Sequence, residues 1–411
     1  MVTDFDMKND IDITEIINQE AIITFFQPII SLRQKAIIGL EALSRGINPV
    51  TGRIIAPNIL FKQAESEGVL VELDRLCREK ALTAFKNLAC NQELFLSLNF
   101  KTSIIDKGVV GSGYLLDQVR RNDLNPGNIM IEIVESEVKN LPALADFVQS
   151  YKEHGFLIAL DDFGAGYSNL DRVAVIKPDV IKIDRSLLDY IDREYYKQAL
   201  VKSLILLSHK LGALALAEGI ERTAEAISAL ELGADMFQGY YFARPVPAGE
   251  VNLGDAQRVI REIAPLLKRV VIERATGQKL RNEQYSALVA DFLTGLAGVA
   301  LENFDERLSR LTGNREGLEC VYILDATGVQ VSKTIFNDPN LSGHKRKFFV
   351  PAQKGADQSL KEYFLPLQIG LSEYITEPYV SAASGNACVT ISTLFTGVHN
   401  LRYVLCLDVR V

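Results

Sequence analysis

The chain has only five cysteines in 411 residues, and Cys77, Cys90, Cys320, Cys388 and Cys406 lie far apart with no CxxC pair. An odd, scattered set argues against a disulfide framework and against structural zinc. Histidine is equally sparse: His154, His209, His344 and His399 show no ligand spacing. No apolar run reaches roughly 18 residues, so no membrane span is expected. The opening residues, MVTDFDMKNDIDITEII, lack a basic segment and an apolar core. No signal peptide is therefore expected, and the protein is read as cytoplasmic. A basic excess is missing too: 44 Lys and Arg face 52 Asp and Glu, a net charge of -8. That speaks against a sequence-independent binder of nucleic-acid polymers. An anionic small substrate stays open if cations mediate. No internal repeat and no haem or flavin motif is found.

What is present is apolar and ordered. The hydrophobic fraction of 48% supports full cores, and the length suggests two domains. Eight short apolar runs alternate with helical stretches: TFFQPII, IIGLEALSR, LFLSLNF, NIMIEIVE, LIALDDFG, VIKID, ALALAEG and MFQGYYFA. The helical stretches include 56–89, with Pro57 near its start, and 185–212, closed by Gly212. Alternating strand and helix predicts an α/β fold, and eight strands favour a TIM-like (β/α)8 barrel. Glu41, Asn99, Glu132, Asp161, Lys182, Glu218 and Gln238 each sit late in one run. In a barrel they would meet at the C-terminal mouth.

Adjacent Asp161 and Asp162, at the end of a buried run, repel each other unless helix capping, a basic partner or a metal ion relieves them. Carboxylates, an asparagine and a lysine, without histidine or cysteine, favour magnesium, manganese or calcium. The aspartate pair can serve two ions about 3.5–4 Å apart, an arrangement suited to phosphoester hydrolysis. Lys182 can orient water or balance charge, and Glu218 is a candidate ligand or general base. GAGYSN departs from a dinucleotide fingerprint, because Asn169 stands where the third glycine belongs. GYSNL is not a nucleophile elbow.

The motifs EALSR at 41–45, FQPII, SLN, IEIVES, DDFGAGYSNL, VIKID, AEGIE and QGYYFARPVP occur in the order found in EAL-domain cyclic di-GMP phosphodiesterases. The chain resembles that family over about residues 20–247. The resemblance implies a barrel with one reversed strand and opening of one phosphodiester of cyclic di-GMP to the linear dinucleotide. It makes Glu41, Asn99, Glu132 and Asp161 ligands of one metal. Asp161 bridges to a second, where Asp162 contributes and Glu218 acts directly or through water. Lys182 holds the attacking water, with Glu221 and Gln238 supporting the site. Gln27, Leu43 and Arg45 face the cyclic dinucleotide, and Glu135 anchors the loop 163–170. Mg2+ or Mn2+ would support turnover, and Ca2+ binding alone. Val134 and Ala165 replace threonines usual in the family, which would loosen that loop. The alternative is a cyclic di-GMP receptor with little hydrolysis, although receptors typically lose ligands that this chain keeps. An unrelated magnesium-dependent barrel lyase is the remote third reading.

The domains are read as 1–250 for the barrel, 251–283 for a connecting helix kinked at Pro265, and 284–411 for a smaller α+β domain. That last part opens with a helix over 284–312. Its strands, CVYILDATGVQV, YITEPYVS, NACVTISTLF and RYVLCLDVRV, with turns at Gly328 and Gly385, are similar to PAS or Cache sensory domains. A small-molecule or protein signal there, or plain dimerisation, is expected. A homodimer is expected because EAL domains commonly pair through the barrel.

Overall fold

The computed structural model describes residues 12–89, 92–107, 113–134, 140–164, 170–313, 315–338 and 350–411. It divides into two compact units, Met1–Ile272 and Glu273–Val411. The first contains β1 (Ile22–Ser31), β2 (Ala36–Ile47), β3 (Ile54–Ile55), β4 (Phe95–Phe100) and β5 (Ile129–Val134). It continues with β6 (Leu157–Phe163), β7 (Val180–Ile183), β8 (Leu214–Ala217), β9 (Met236–Phe237) and β10 (Val246–Pro247). Eight strands close a barrel in the order β1-β9-β8-β7-β6-β5-β4-β2, with β1 pairing back to β2. From β2 to β9 the barrel neighbours are parallel, while β1 runs antiparallel to both β2 and β9. Each expected run thus supplies a barrel strand, and β1 is the reversed one.

The pleat decides what faces the barrel axis. An apolar plug of Ile29, Met130, Ala159, Val180, Leu216 and Met236 fills the interior. Side chains of a strand alternate between faces, so the residue two places nearer the mouth shares the plug's face. Those residues are Gln27 on the reversed strand, then Glu132, Asp161, Lys182, Glu218 and Gln238. One apolar layer therefore underlies one polar layer. Outside the barrel, Leu73, Leu82, Phe85, Leu144 and Phe147 of the helices pack on the outward-facing Leu96, Leu98, Ile131 and Ile158. Burial on both faces is what makes these strands read as continuous apolar runs.

Two helical stretches are split. Residues 56–89 form Pro57–Glu67 and Leu70–Lys86, separated at Gly68, whose φ of 77° is left-handed. The 185–212 stretch forms Arg185–Leu188 and Tyr195–Lys210. Conversely, the connecting helix runs on into the first part of the expected 284–312 helix as one helix, Leu253–Leu296, that passes through Pro265, while the rest of 284–312 holds a separate helix, Phe304–Thr312. Residues 273–284 are mostly polar and exposed but include no proline, so nothing local breaks the helix there.

The second unit carries β11 (Leu318–Asp325), β12 (Ile335–Phe336), β13 (Glu373–Ile375), β14 (Tyr379–Val380), β15 (Ala387–Thr396) and β16 (Arg402–Arg410). They make one antiparallel sheet, ordered β12-β11-β16-β15-β13 with β14 on β15. Val321, Ile323, Ile391, Leu405 and Leu407 on one face pack against Val289, Phe292, Phe304 and Leu308. Gly328 and Gly385 have positive φ, as turn residues do. Among the described residues, no helix is long and apolar enough to cross a membrane.

Candidate active site

Lys182 is the centre of the polar layer. Its side chain is 1% exposed, and Nζ lies 2.7 Å from Glu132 Oε2, 2.9 Å from Asp161 Oδ1 and 2.7 Å from Glu218 Oε1. Glu41 Oε1 stands 3.9 Å away. Four carboxylates thus surround one ammonium. Amides orient Glu41 from both sides: Asn99 Nδ2 donates to Oε1 at 2.9 Å and Gln238 Nε2 to Oε2 at 2.6 Å. Gln238 Nε2 also reaches Gln27 Oε1 at 3.2 Å, and Gln27 donates to the Ala243 carbonyl at 3.1 Å. Glu41 lies mid-strand because β2 continues past the mouth, where Gly46 and Ile47 pair with β3.

The aspartate pair has a backbone explanation. Regular pleating would send Asp161 and Asp162 to opposite faces. Asp162 instead has φ of 56°, and the pairing of β6 with β7 slips between Leu160 and Phe163. This irregularity turns both carboxylates to the mouth. Oxygen atoms of Asp161, Asp162 and Glu218 all lie within 4.8 Å of one another.

The charges do not balance. Burial first, and then neighbouring Glu41, push the Glu132 carboxyl well above its ordinary range against the pull of Lys182. Burial likewise drives Glu218 up to about 8, despite Lys182. Burial acts to lower the Lys182 pKa, but Asp161, Glu132, Glu218 and Glu41 together hold it well above normal. Glu132 Oε2 and Asp161 Oδ1 are buried without a hydrogen-bond partner and meet Lys182 only as ion pairs. Orphaned buried carboxylate oxygens in an all-oxygen donor set fit a hard divalent cation.

The layer opens into a cleft of about 370 Å³ lined by Gln27, Glu41, Asp161, Asp162, Lys182, Glu218, Glu221 and Gln238, together with Asp184, Arg185 and Tyr240. Glu221 is ion-paired with Arg185. A second cavity of about 860 Å³ shares Glu41 and includes Leu43, Arg45, Asn58, Phe61 and Asn99. Period 2 along β2 puts Leu43 and Arg45 on the face of Glu41. Asp74 and Arg78, 2% and 6% exposed, form an ion pair in its wall. Every anticipated site residue among the described ones is therefore at the mouth or in this cavity. Glu135, Ala165 and most of the 163–170 loop lie outside the described residues.

Sequence reading missed several participants. Ser97 Oγ donates to Glu132 Oε1 at 2.5 Å, inside the core. It sits two residues before Asn99 on the same face, so alternation would have found it. Asp184 ends the VIKID run as the cap of a short helix, and Arg185 directly follows it as that helix's first residue. Asp74 and Arg78 read as an ordinary i,i+4 helix pair, and only the fold buries them.

Known proteins fit this geometry. The chain is 31% identical over 236 residues to PdeG of Escherichia coli. It is 30% identical over 228 residues to the cyclic di-GMP phosphodiesterase RocR of Pseudomonas aeruginosa, 54% of this chain. It spans 46% and 57% of those two proteins, about half their length. The Bacillus subtilis YkuI protein, solved with an EAL domain, substrate c-di-GMP and calcium, superposes with a TM-score of 0.79 at 22% identity. That match covers 98% of this chain and 99% of YkuI, a likeness of fold. Klebsiella pneumoniae BlrP1, solved with manganese and cy-diGMP, matches at 28% identity and a TM-score of 0.51, over 56% of each chain. The EAL-domain profile itself matches residues 11–245, the whole barrel with the layer around Lys182, and the chain belongs to the EAL-domain family.

Proposed function

We propose that this protein hydrolyses cyclic di-GMP to the linear dinucleotide at the barrel mouth. The observation that carries this reading is the four-carboxylate ring around Lys182 with its orphaned oxygens. Glu41, Asn99, Glu132 and Asp161 would hold one Mg2+ or Mn2+, and Asp161, Asp162 and Glu218 a second. Bound cations supply Lewis-acid stabilisation of charge developing on the phosphoryl oxygens. The protein's own part is positioning and proton transfer. Gln238 and Asn99 fix the rotamer of Glu41, and Ser97 fixes that of Glu132. Lys182 holds the carboxylates together and orients water. Glu218, whose proton affinity burial raises, accepts the proton as the water oxygen attaches to phosphorus and one P–O ester bond breaks. Glu218 then returns that proton to the departing oxygen, which leaves as a hydroxyl. The larger cavity, with apolar Leu43 and Phe61 beside Asn58 and Arg45, suits one guanine nucleotide.

Residues 284–411, within the second unit, are assigned a regulatory role, and the protein is assigned as a homodimer in the cytoplasm. Its antiparallel sheet supports the PAS/Cache-like reading. Buried free thiols at Cys77, Cys320, Cys388 and Cys406 suit a reducing compartment. The test is incubation of the full chain with cyclic di-GMP and Mn2+ or Mg2+, following products by chromatography. Linear dinucleotide that disappears in excess chelator is the expected result. Binding in Ca2+ without turnover under any metal would make the protein a receptor.

A further inference from the structure

We infer that Arg185 binds a phosphate of the cyclic dinucleotide and sets substrate affinity. The inference rests on the function proposed above. Cyclic di-GMP carries two phosphodiesters, each with a negative charge. One must sit over the metal-binding carboxylates, and the other must be accommodated on the same acidic mouth. Among the described residues lining the cleft, six are carboxylates and only Lys182 and Arg185 are cations. Lys182 lies on the floor, with Nζ committed to Glu132, Asp161 and Glu218. Arg185 has 46% of its side chain exposed and is the cation an entering anion can reach.

The position is built rather than incidental. Asp184 caps the short helix that starts at Arg185 by accepting from the Ser186 N–H at 2.9 Å. The Arg185 stem then lies against Gly219, where φ is 65°. A Cβ at 219 would stand 2.6 Å from Arg185 Cβ and 2.8 Å from Cγ, so only glycine leaves the groove that seats the stem. Glu221 pairs with Nη1 and tethers the head beside the cleft. A guanidinium has five N–H groups in a planar fork. The single bond to Glu221 leaves donors for a phosphate, and bidentate phosphate contact is the geometry arginine favours over lysine. The linear product bears a terminal phosphomonoester, with more charge than the diester it replaces, so Arg185 should also hold product.

The experiment compares wild type, Arg185→Ala and Arg185→Lys as full chains. It measures kcat and KM with Mn2+, the Kd for cyclic di-GMP in Ca2+, and the Mn2+ affinity of each protein alone. Arg185→Ala should raise KM and Kd about ten- to a hundredfold, the range expected for hydrogen bonds to a charged group. Its kcat should stay within threefold, and its Mn2+ affinity should not change. Arg185→Lys should recover part of the loss, and higher salt should narrow the gap between variants. Unchanged KM and Kd in Arg185→Ala would overturn the inference while leaving the phosphodiesterase intact. So would a fall in kcat accompanied by weakened Mn2+ binding, which would mark Arg185 as a support for Glu221. A wild type that neither binds nor cleaves cyclic di-GMP would remove the parent reading and this one with it.

Discussion

Replacing Lys182 with methionine keeps the stem's volume and removes the one ammonium that faces Glu132, Asp161, Glu218 and Glu41. Breaking a buried ion pair from one side costs about 3–5 kcal/mol, because the abandoned charge stays buried. Here one cation serves three close carboxylates, so the upper part of that range applies in a metal-free protein. The carboxylates have one escape, which is to take up protons. Glu132 already sits well above its ordinary pKa, and Glu218 rises to about 8, both chiefly through burial. A carboxyl whose pKa is raised by folding binds protons more tightly in the native state, so stability falls as pH climbs from the unfolded value to the folded one. Without Lys182 both groups move further up, and the deficit should be small near pH 5 and large at pH 8.5. Divalent cations replace the missing positive charge. The assay is thermal melting of both proteins in chelator and in excess Mn2+ at these two pH values. We expect the barrel transition to drop by on the order of 10 °C in chelator at pH 8.5. At least half of that loss should return with Mn2+ or at the lower pH. A deficit of equal size under all four conditions would refute the charge argument, and so would a variant as stable as wild type in chelator at pH 8.5.

Glu218→Gln preserves volume but removes the proton acceptor, so turnover should fall at least a hundredfold while the Kd for cyclic di-GMP in Ca2+ changes little; parallel losses would make Glu218 a substrate-binding group. Glu41→Ala removes a carboxylate that Asn99 and Gln238 hold in place, and Mn2+ affinity measured by calorimetry should drop together with activity. Wild-type Mn2+ affinity should rise between pH 6 and pH 8.5, because metal must displace the proton that burial retains on Glu218; a flat profile would exclude Glu218 as a ligand. Ser97→Ala leaves Glu132 Oε1 without its 2.5 Å donor, so stability should fall by about 1–3 kcal/mol and metal binding should weaken, with Ser97→Thr restoring part of both.

Much of the barrel was legible because its parallel strands are buried on both faces. VIKID and NIMIEIVE show up as apolar runs for that reason, and the polar residue within each stands out. The polar layer followed from the same alternation that places Lys182 two residues after Val180. What escaped depended on long-range contact. Gly68 splits a stretch whose periodicity reads as continuous, since a left-handed glycine is invisible in an apolar pattern. Asp74 and Arg78 have the spacing of a solvated helix pair, and only packing of their helix against the barrel buries them. The irregularity at Asp162 was implied by chemistry, because two adjacent carboxylates of one strand can share a mouth only if the pleat is broken there.

The second unit shows why the barrel mouth, and not merely any buried acid, points to metal. Asp408 and Glu319 are both buried in its sheet. Asp408 accepts from Thr390 Oγ1 at 2.7 Å and Ser381 Oγ at 3.2 Å. Glu319 receives Asn386 Nδ2 at 2.7 Å and Arg410 Nε at 3.0 Å. Burial acts to raise the Glu319 pKa, but these donors and Cys388 outweigh it and the net shift is downward. Glu319's hydrogen bonds thus offset the cost of taking a carboxylate out of water, whereas burial still holds Asp408 above its ordinary pKa although Thr390, Cys320 and Ser381 donate to it. At the barrel mouth the opposite choice is made. Glu132 Oε2 and Asp161 Oδ1 face only the shared Lys182 ammonium, while Ser97 donates to Glu132 Oε1 and Asn99 and Gln238 donate to Glu41. Those three donors are used to aim the carboxylates instead. A fold that can saturate buried acids in one unit leaves them short of positive charge in the other, and a hard divalent cation is the partner that completes that arrangement.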